Sequence, residues 1–500
     1  MTRRRYQACK DRNQQMILPP SIDDYVSEDN LVRAIEGFVE VLDLKALGFT
    51  NTSPDVSSGQ PAYSPYALLK LYLYGYINRI TSSRRLEQET RRNLEVIWLM
   101  SELQPAFKTI ATFRKDNSKA LKNINRQFVL LCDELHLLGK QDFAVDGTFI
   151  KANAHKSSIF TRTKLDSQLK KIDKHILEYQ QLIDEQDKNE ASSEYQSEIK
   201  NLNEKLNQLK ERQEVKKNLL KQLKTKKQKQ ISLIDPDARL MTKGGCCEAS
   251  YNAQIVTDGQ NNLIVAEELT QDGNDYNQLV PMARETQKLL QIEEMNIFAD
   301  SGYYKTQQLI DCKALKITAY VAIRKPSILK NTQDKYQRKD FTYNEDMDCF
   351  ICPQGKHLKK QGQFYRRNEK LLVRYTAKQS VCAQCPLRLN CLPLNARYKQ
   401  LNMVSNASEI NLMLKEHEER MMQHPDAMKQ RGSMVEHPFG TIKIRNGKHQ
   451  FLTRGIEKCR GEFSLMILSY NFTRVMNIIG LDRFCDFMKN RTNSFESATR

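Results

Sequence analysis

Nowhere in the 500-residue chain do apolar residues continue for the ~18 positions of a membrane span. The nearest approach, Phe463 to Gly480, is broken by Ser464, by Tyr470-Asn471 and by Arg474. The start of the chain is basic, Met1-Thr-Arg-Arg-Arg5, but leads into Asp11, Arg12 and Asn13, so no secretory leader is expected and the chain reads as cytoplasmic. Without such a leader, 12 cysteines argue against a disulfide framework. Glycine and proline are missing altogether from residues 161–230, which excludes turns from most of that stretch. Nor is the chain poor enough in apolar residues to stay disordered: 40% are hydrophobic and 28% charged, enough for real cores and a soluble surface. The surplus is of positive charge, 78 Lys and Arg against 60 Asp and Glu, a net +18. That points to a polyanionic partner, although charge alone does not separate nucleic acid from an anionic membrane surface.

The length corresponds to about three domains, and composition divides the chain further. Residues 21–60 hold two basic and eight acidic side chains, whereas residues 61–130 hold twelve and five. The basic stretch has helical spacing at Ala67, Leu68, Leu71, Tyr72 and Gly75, and again from Leu121 to Leu135, with breaks at Gly59-Gln-Pro61 and Gln104-Pro105. This predicts an all-helical domain over residues 1–140. Its Arg84-Arg85, Arg91-Arg92, Arg114-Lys115 and Arg126 are either anchors for phosphates or a solvated basic face.

In residues 161–230, Leu165, Leu169, Ile172, Ile176, Tyr179 and Ile183 step by 4, 3, 4, 3 and 4; Tyr195, Ile199, Leu202, Leu206 and Leu209 continue the pattern. This is a heptad seam, and the polar interruption Asp184 to Glu194 predicts a coiled-coil hairpin of two antiparallel helices. The seam is read as structural first, with contact between copies of the chain as the alternative. Around it strands alternate with helices. Phe143–Ile150, Tyr251–Thr257, Leu263–Leu269, Met295–Asp300 and Ile317–Ile323 are strand candidates, and Asp272-Gly-Asn-Asp275 precedes a helix. Residues 141–160 and 231–335 therefore read as an α/β core, with 161–230 inserted after its first strand.

Two acids sit where strands are expected to run out: Asp146 in Val145-Asp-Gly-Thr148 and Asp300 in Ala299-Asp-Ser-Gly-Tyr303. Strand ends of open sheets bind ligands, and a following glycine admits close approach, though Asp-Gly and Asp-Ser-Gly are also ordinary turns. Glu436, in Val435-Glu-His-Pro-Phe-Gly-Thr-Ile-Lys443, adds a third acid; on a helix it shares a face with Lys443, while Pro438 and Gly440 suggest a helix start or kink. Two aspartates from strands and a glutamate from a helix form a ligand set for two hard cations ~3.5–4 Å apart, as in-line phosphoryl transfer requires.

These motifs, together with Leu18-Pro-Pro-Ser-Ile-Asp-Asp-Tyr25, Leu69-Lys-Leu-Tyr-Leu-Tyr-Gly-Tyr-Ile-Asn-Arg79, Ser82-Ser-Arg-Arg-Leu86 and Phe113-Arg-Lys-Asp-Asn117, resemble the bacterial DDE insertion-sequence transposases over nearly the whole chain. The resemblance implies a ribonuclease H-like α/β catalytic domain with Asp146, Asp300 and Glu436 binding two Mg²⁺ or Mn²⁺ ions. It implies Arg431 and Lys443 as basic companions of the glutamate on transposon-end phosphate, and a C-terminal helical portion of the catalytic domain over 401–500. The partners implied are double-stranded DNA, as terminal inverted repeats and as target, and further copies of the chain in a synaptic complex; no membrane is expected.

Residues 336–400 carry Cys349-Phe-Ile-Cys352 and Cys382-Ala-Gln-Cys385, with Cys391 beyond. Two C-x₂-C pairs suit a structural zinc ion held by thiolates, a zinc-ribbon-like insertion. The resemblance, through Cys-Pro-x-Gly and Cys-x-x-Cys-Pro-Leu-x-x-x-Cys, favours Cys352, Cys382, Cys385 and Cys391 as ligands, with Cys349 as the main alternative and His357 a lesser one. The function expected is cleavage at transposon ends and strand transfer; the competing readings are a DNA-binding protein without catalysis and a metal-dependent nuclease that cuts without joining.

Overall fold

The computed structural model describes residues 21–498 apart from 53–60, 188–192, 226–227, 324–334, 368–369, 394, 405–406 and 446–449. Leu18, Pro19 and Pro20 of the first quoted motif, and the middle of the expected hairpin turn, fall outside these residues.

The N-terminal region is helical: α1 (Leu31–Glu40), α2 (Pro65–Ile77), α3 (Ser83–Arg92), α4 (Leu94–Leu99), α5 (Phe107–Asp116) and α6 (Ser118–Glu134). Asn30, Ser64 and Asn93 accept backbone N–H groups at the starts of α1, α2 and α4, supplying partners that a first turn lacks. From Leu68 to Tyr76 every residue of α2 is buried, as befits a helix apolar on all sides.

The next elements are β1 (Asp142–Lys151), β2 (Ile159–Thr161), the helices α7 (Arg162–Asp187) and α8 (Ser193–Thr225), β3 (Gln230–Ser232), β4 (Arg239–Lys243), β5 (Cys246–Asp258), β6 (Ile264–Thr270), α9 (Leu279–Leu290), β7 (Met295–Ala299), α10 (Thr306–Ala314) and β8 (Ile317–Val321). The main sheet runs β4-β5-β1-β7-β8, with β6 also on β5. β5 is antiparallel to β1, β4 and β6, whereas β7 and β8 are parallel to β1 and to each other. Helices α7 and α8 form the insertion, closed at its base by the β2–β3 pair. Leu165 packs with Leu219 and Leu223, and Gln168 and Asp173 accept from Lys216 and Gln213, so the helices run antiparallel.

Beyond β8 a second sheet follows: β9 (Thr342–Asn344), β10 (Cys349–Ile351), β11 (His357–Arg367), β12 (Lys370–Thr376) and, after the short helices α11 (Gln379–Ala383) and α12 (Arg388–Cys391), β13 (Gln400–Val404). Its strands pair in the order β13-β12-β11-β10-β9, all antiparallel, over a core of its own that includes Phe350, Leu358, Tyr375 and Met403. The chain ends in α13 (Ala407–Gln423), α14 (Ala427–Arg445), α15 (Ile456–Ile479) and α16 (Leu481–Ala498).

Phe463 to Gly480, the most apolar stretch, is α15 and its C-cap, and the helix is buried through protein: it packs on α6, α2 and β6. A Cβ on Gly461 would lie 2.6 Å from Ser118 Cα, so glycine is what lets α15 cross α6 so closely. No helix among the described residues is long and apolar enough to cross a membrane. Because α15 wedges between the N-terminal helices and the sheet, one continuous core extends from Val26 to Met488. The boundary expected at residue 140 thus marks a change of secondary structure within a shared core.

Candidate active site

Within β1 side chains alternate between faces, so Ala144 and Asp146 share one, as do Phe298 and Asp300 at the end of β7. The last parallel pair of β1 with β7 is Ala144 with Phe298; Asp146 and Asp300 each follow two residues later, Asp300 just past the end of β7. β1 does not end there. It continues to Lys151, paired with β5, and what ends at Ala144 is its pairing with β7. The expected strand end at Asp146 is therefore a fork between strands.

α14 covers this face: its Met434 and Val435 pack with Ala144 and Phe298. One turn earlier, Arg431 reaches the fork and places its Nη2 2.7 Å from Asp146 Oδ1 and 4.0 Å from Asp300 Oδ2. The two carboxylates are oriented by their own backbone turns. Asp146 Oδ1 accepts Gly147 N–H at 2.9 Å, and Asp300 Oδ1 accepts Gly302 N–H at 2.7 Å. Both turn roles anticipated as alternatives are thus present, and each aspartate still directs a carboxylate oxygen at the guanidinium. Tyr303, wholly buried, donates to Gln254 Oε1 at 2.5 Å. Burial, and then the negative charge of Asp275, Asp146 and Asp300, raises its hydroxyl pKa well above the usual value, keeping it a donor.

Glu436 lies on the exposed side of α14, with its Oε1 3.3 Å from where a Cβ on Gly432 would stand. The helix neither starts nor stops at Pro438; it runs through to Arg445 with the proline inside. Lys443 shares the Glu436 face two turns on, about 10 Å along the axis, its Nζ 5.7 Å from the Phe439 ring centre. Asp146, Asp300 and Arg431 are thus brought together, while Glu436 and Lys443 are carried on the same helix. Among the described residues, no three His, Cys, Asp or Glu side chains stand in an arrangement that holds a metal ion. At the fork the chemistry nonetheless suits a cation: the donors are hard carboxylate oxygens, and a positively charged group already sits between them.

The arginines named for DNA divide. Arg84 and Arg85 are exposed on α3, Arg84 lying over the Phe107 ring. Arg114 is no surface anchor: it is 5% exposed, donates to Tyr76 Oη and the Thr81 carbonyl, and lies over the Tyr72 ring. Following Phe113, it faces the buried side of α5, so its charge is spent inside the helical region.

In the second sheet, Cys352, Cys382 and Cys391 border one small core. Lys356 N–H points at Cys352 Sγ at 3.3 Å across a turn closed by Gly355, whose φ of +69° favours glycine. Burial pushes the Cys391 thiol pKa up, and the nearby Cys382, Cys385 and Cys352 push it further. Cys349, on β10, is buried, its Sγ 3.2 Å from His357 Nδ1.

The family model of the transposase domain DUF772 matches residues 20–116, and that of the transposase DDE domain matches residues 351–476. The second span holds Arg431, Glu436, Lys443 and the cysteines from Cys352 to Cys459; Asp146 and Asp300 fall outside both. No curated protein matches. A cryo-EM structure of a piggyBac transposase synaptic complex with hairpin DNA aligns at 9% identity and a TM-score of 0.30, over 93% of this chain and 77% of that one. Two transposase family models, one on the N-terminal helices and one of the DDE domain around the glutamate helix, identify the chain as a DNA transposase with a DDE domain.

Proposed function

We propose that Asp146, Asp300 and Glu436 hold two Mg²⁺ or Mn²⁺ ions and that the enzyme hydrolyses DNA at transposon ends, then joins the freed 3′-hydroxyl to target DNA. The carrying observation is the fork: two aspartates, each two residues beyond the last parallel pair of β1 and β7, with the Arg431 guanidinium between them. The sheet order, with β5 antiparallel beside β1 and β7 parallel on its other side, supports a ribonuclease H-like reading. When bound, the ions would activate the attacking oxygen and stabilise the leaving one. The chain's own groups orient and compensate. Gly147 and Gly302 N–H groups fix the aspartate rotamers, and Arg431 neutralises the pair until a cation takes its place, after which it is available to DNA phosphate. Glu436 and Lys443, on one face of α14, would complete the site on the DNA side. Exposed Arg84 and Arg85 supply sequence-independent phosphate contacts, and two or more copies work on paired ends.

We further assign Cys352, Cys382, Cys385 and Cys391 to a structural zinc ion. The Lys356 N–H on Cys352 Sγ and the mutual proximity of the thiols support this set over one containing Cys349.

The test is strand transfer with Mg²⁺ and DNA bearing the element's terminal inverted repeats. Asp146→Asn, Asp300→Asn and Glu436→Gln are each expected to remove joined products while leaving end binding within a few fold. Full joining by a folded Asp300→Asn protein refutes the assignment, and cut but unjoined ends from the wild type make it a nuclease.

A further inference from the structure

Arginines from three parts of the chain gather around one stretch of α15. Arg445, in the last turn of α14, donates through Nη1 to the Ser469 carbonyl at 3.2 Å and to Thr473 Oγ1 at 2.9 Å. Arg474, the residue after Thr473, donates through Nε to the Asn261 carbonyl at 2.9 Å, between β5 and β6. Tyr470 donates to the neighbouring Asn262 carbonyl at 2.9 Å, and its Oη stands 3.2 Å from His437 Nδ1. Arg79, in the turn after α2, adds its charge beside Arg445. Among the described residues none of these three arginines is in an ion pair.

Neutral partners thus hold the guanidinium groups in place without cancelling their charge. Arg445 uses Nη1 and Arg474 uses Nε, which leaves the rest of each fork for another acceptor. A glutamine could satisfy a carbonyl or a hydroxyl, so these hydrogen bonds alone do not call for arginine. Arg445 and Arg474 are half-buried, and Arg79 is exposed. Burial, and then the charge of Arg79, lowers the pKa of Arg445; burial, and then Arg474 and Arg445, lowers that of His437. Positive charge therefore faces positive charge, an arrangement that costs free energy until an anion joins it. The place suits DNA. His437 directly follows Glu436, and Arg445 stands about 21 Å along the α14 axis from Arg431 at the fork. That span corresponds to about six nucleotides of one strand. Arg79 comes from the N-terminal helices, so the cluster joins them to the helix that carries Glu436.

We propose that Arg79, Arg445 and Arg474 form a phosphate-binding site that grips the backbone of transposon-end DNA away from the cut. The inference rests on reading α14 as the catalytic helix. The test is the affinity of the full-length protein, without divalent ions, for terminal-repeat duplexes in which one phosphate at a time is a neutral methylphosphonate. Neutralising the contacted phosphate is expected to weaken wild-type binding about tenfold, as for a lost charge-assisted hydrogen bond. Arg79→Asn places a residue that tolerates the φ of +61° at this turn. It is expected to lose as much on the unmodified duplex, to be indifferent to that methylphosphonate, and to melt at the wild-type temperature. Arg79→Lys should recover most of the affinity. Wild-type affinity in both Arg79→Asn and Arg474→Gln overturns the inference, as does weakened binding in which every methylphosphonate effect survives at full size. Should Arg79→Asn fold poorly, the same comparison on Arg474→Gln decides. Full strand transfer by Glu436→Gln overturns instead the reading of α14 as the catalytic helix.

Discussion

Glu267→Gln should make the protein's stability less dependent on pH, and by an amount that follows from where Glu267 lies. This carboxyl, 6% exposed, is clamped between the N-terminal helices and the C-terminal helix: Asn125 on α6 donates to one oxygen and Ser464 on α15 to the other, at 2.8 Å for the serine. Burial raises its pKa from 4.5 to about 7, against the pull of Lys122, Ser464 and Asn125, and Glu268 adds to the rise. Between those two pH values the folded protein keeps a proton that the unfolded chain has released. The stabilisation is therefore complete below pH ~4.5, declines as pH rises, and is gone above ~7. At 1.36 kcal/mol per pH unit this amounts to about 3 kcal/mol. Glutamine mimics the protonated acid and does not titrate. With an unfolding entropy of roughly 2 cal/mol/K per residue over several hundred residues, the melting temperature of the variant should gain about 3–4 °C on the wild type between pH 5 and pH 8. Scanning calorimetry across that range is the assay. A melting difference that stays constant with pH, or one that favours the wild type at pH 8, would refute the idea that the buried carboxyl is held neutral.

Other perturbations separate surface from core and metal from thiol. Arg114→Ala should cost about 2–4 kcal/mol by stranding Tyr76 and the Thr81 carbonyl, yet leave the salt dependence of DNA binding unchanged; Arg84→Ala and Arg85→Ala should each flatten the slope of log affinity against log salt by about 1 with stability intact. Elemental analysis should find one zinc per chain, lost in Cys352→Ser and Cys385→Ser and retained in Cys349→Ser; loss only in Cys349→Ser would move the ligand set.

Legibility along the chain depended on how local the cause was. Heptad steps from Leu165 to Ile183 suffice to make α7, because a seam is a property of one helix surface, and burial at Leu165 and Ile172 follows it. Asp146 and Asp300 stood out because each sits in a short apolar run followed by turn residues. The misreadings came from long-range packing. Arg114 looks like its basic neighbours until α5 is placed against Tyr72 and Tyr76. Asp275 has the sequence of a turn, and Asn252 and Gln254 look like polar interruptions of a strand, until they are seen to bind each other. The break at residue 140 suggested separate domains because nothing near it shows that α15 fills the space between the N-terminal helices and the sheet.

Residue types at short spacing were enough to settle the kinds of element and the stock of chemistry: helices, strands, an inserted hairpin, a cysteine-rich module and three acids in motif order. Neighbours along the chain express all of these. Which of the groups meet was open until the fold closed. The parallel pairing of β1 with β7 ends two residues before both Asp146 and Asp300, and α14 places Arg431 between the two. Buried amides on β5 hold Asp275 from a segment that has only the sequence of a turn. Such meetings are fixed by strand register and helix packing between segments far apart in the chain, where burial, and not local spacing, sets the free energy.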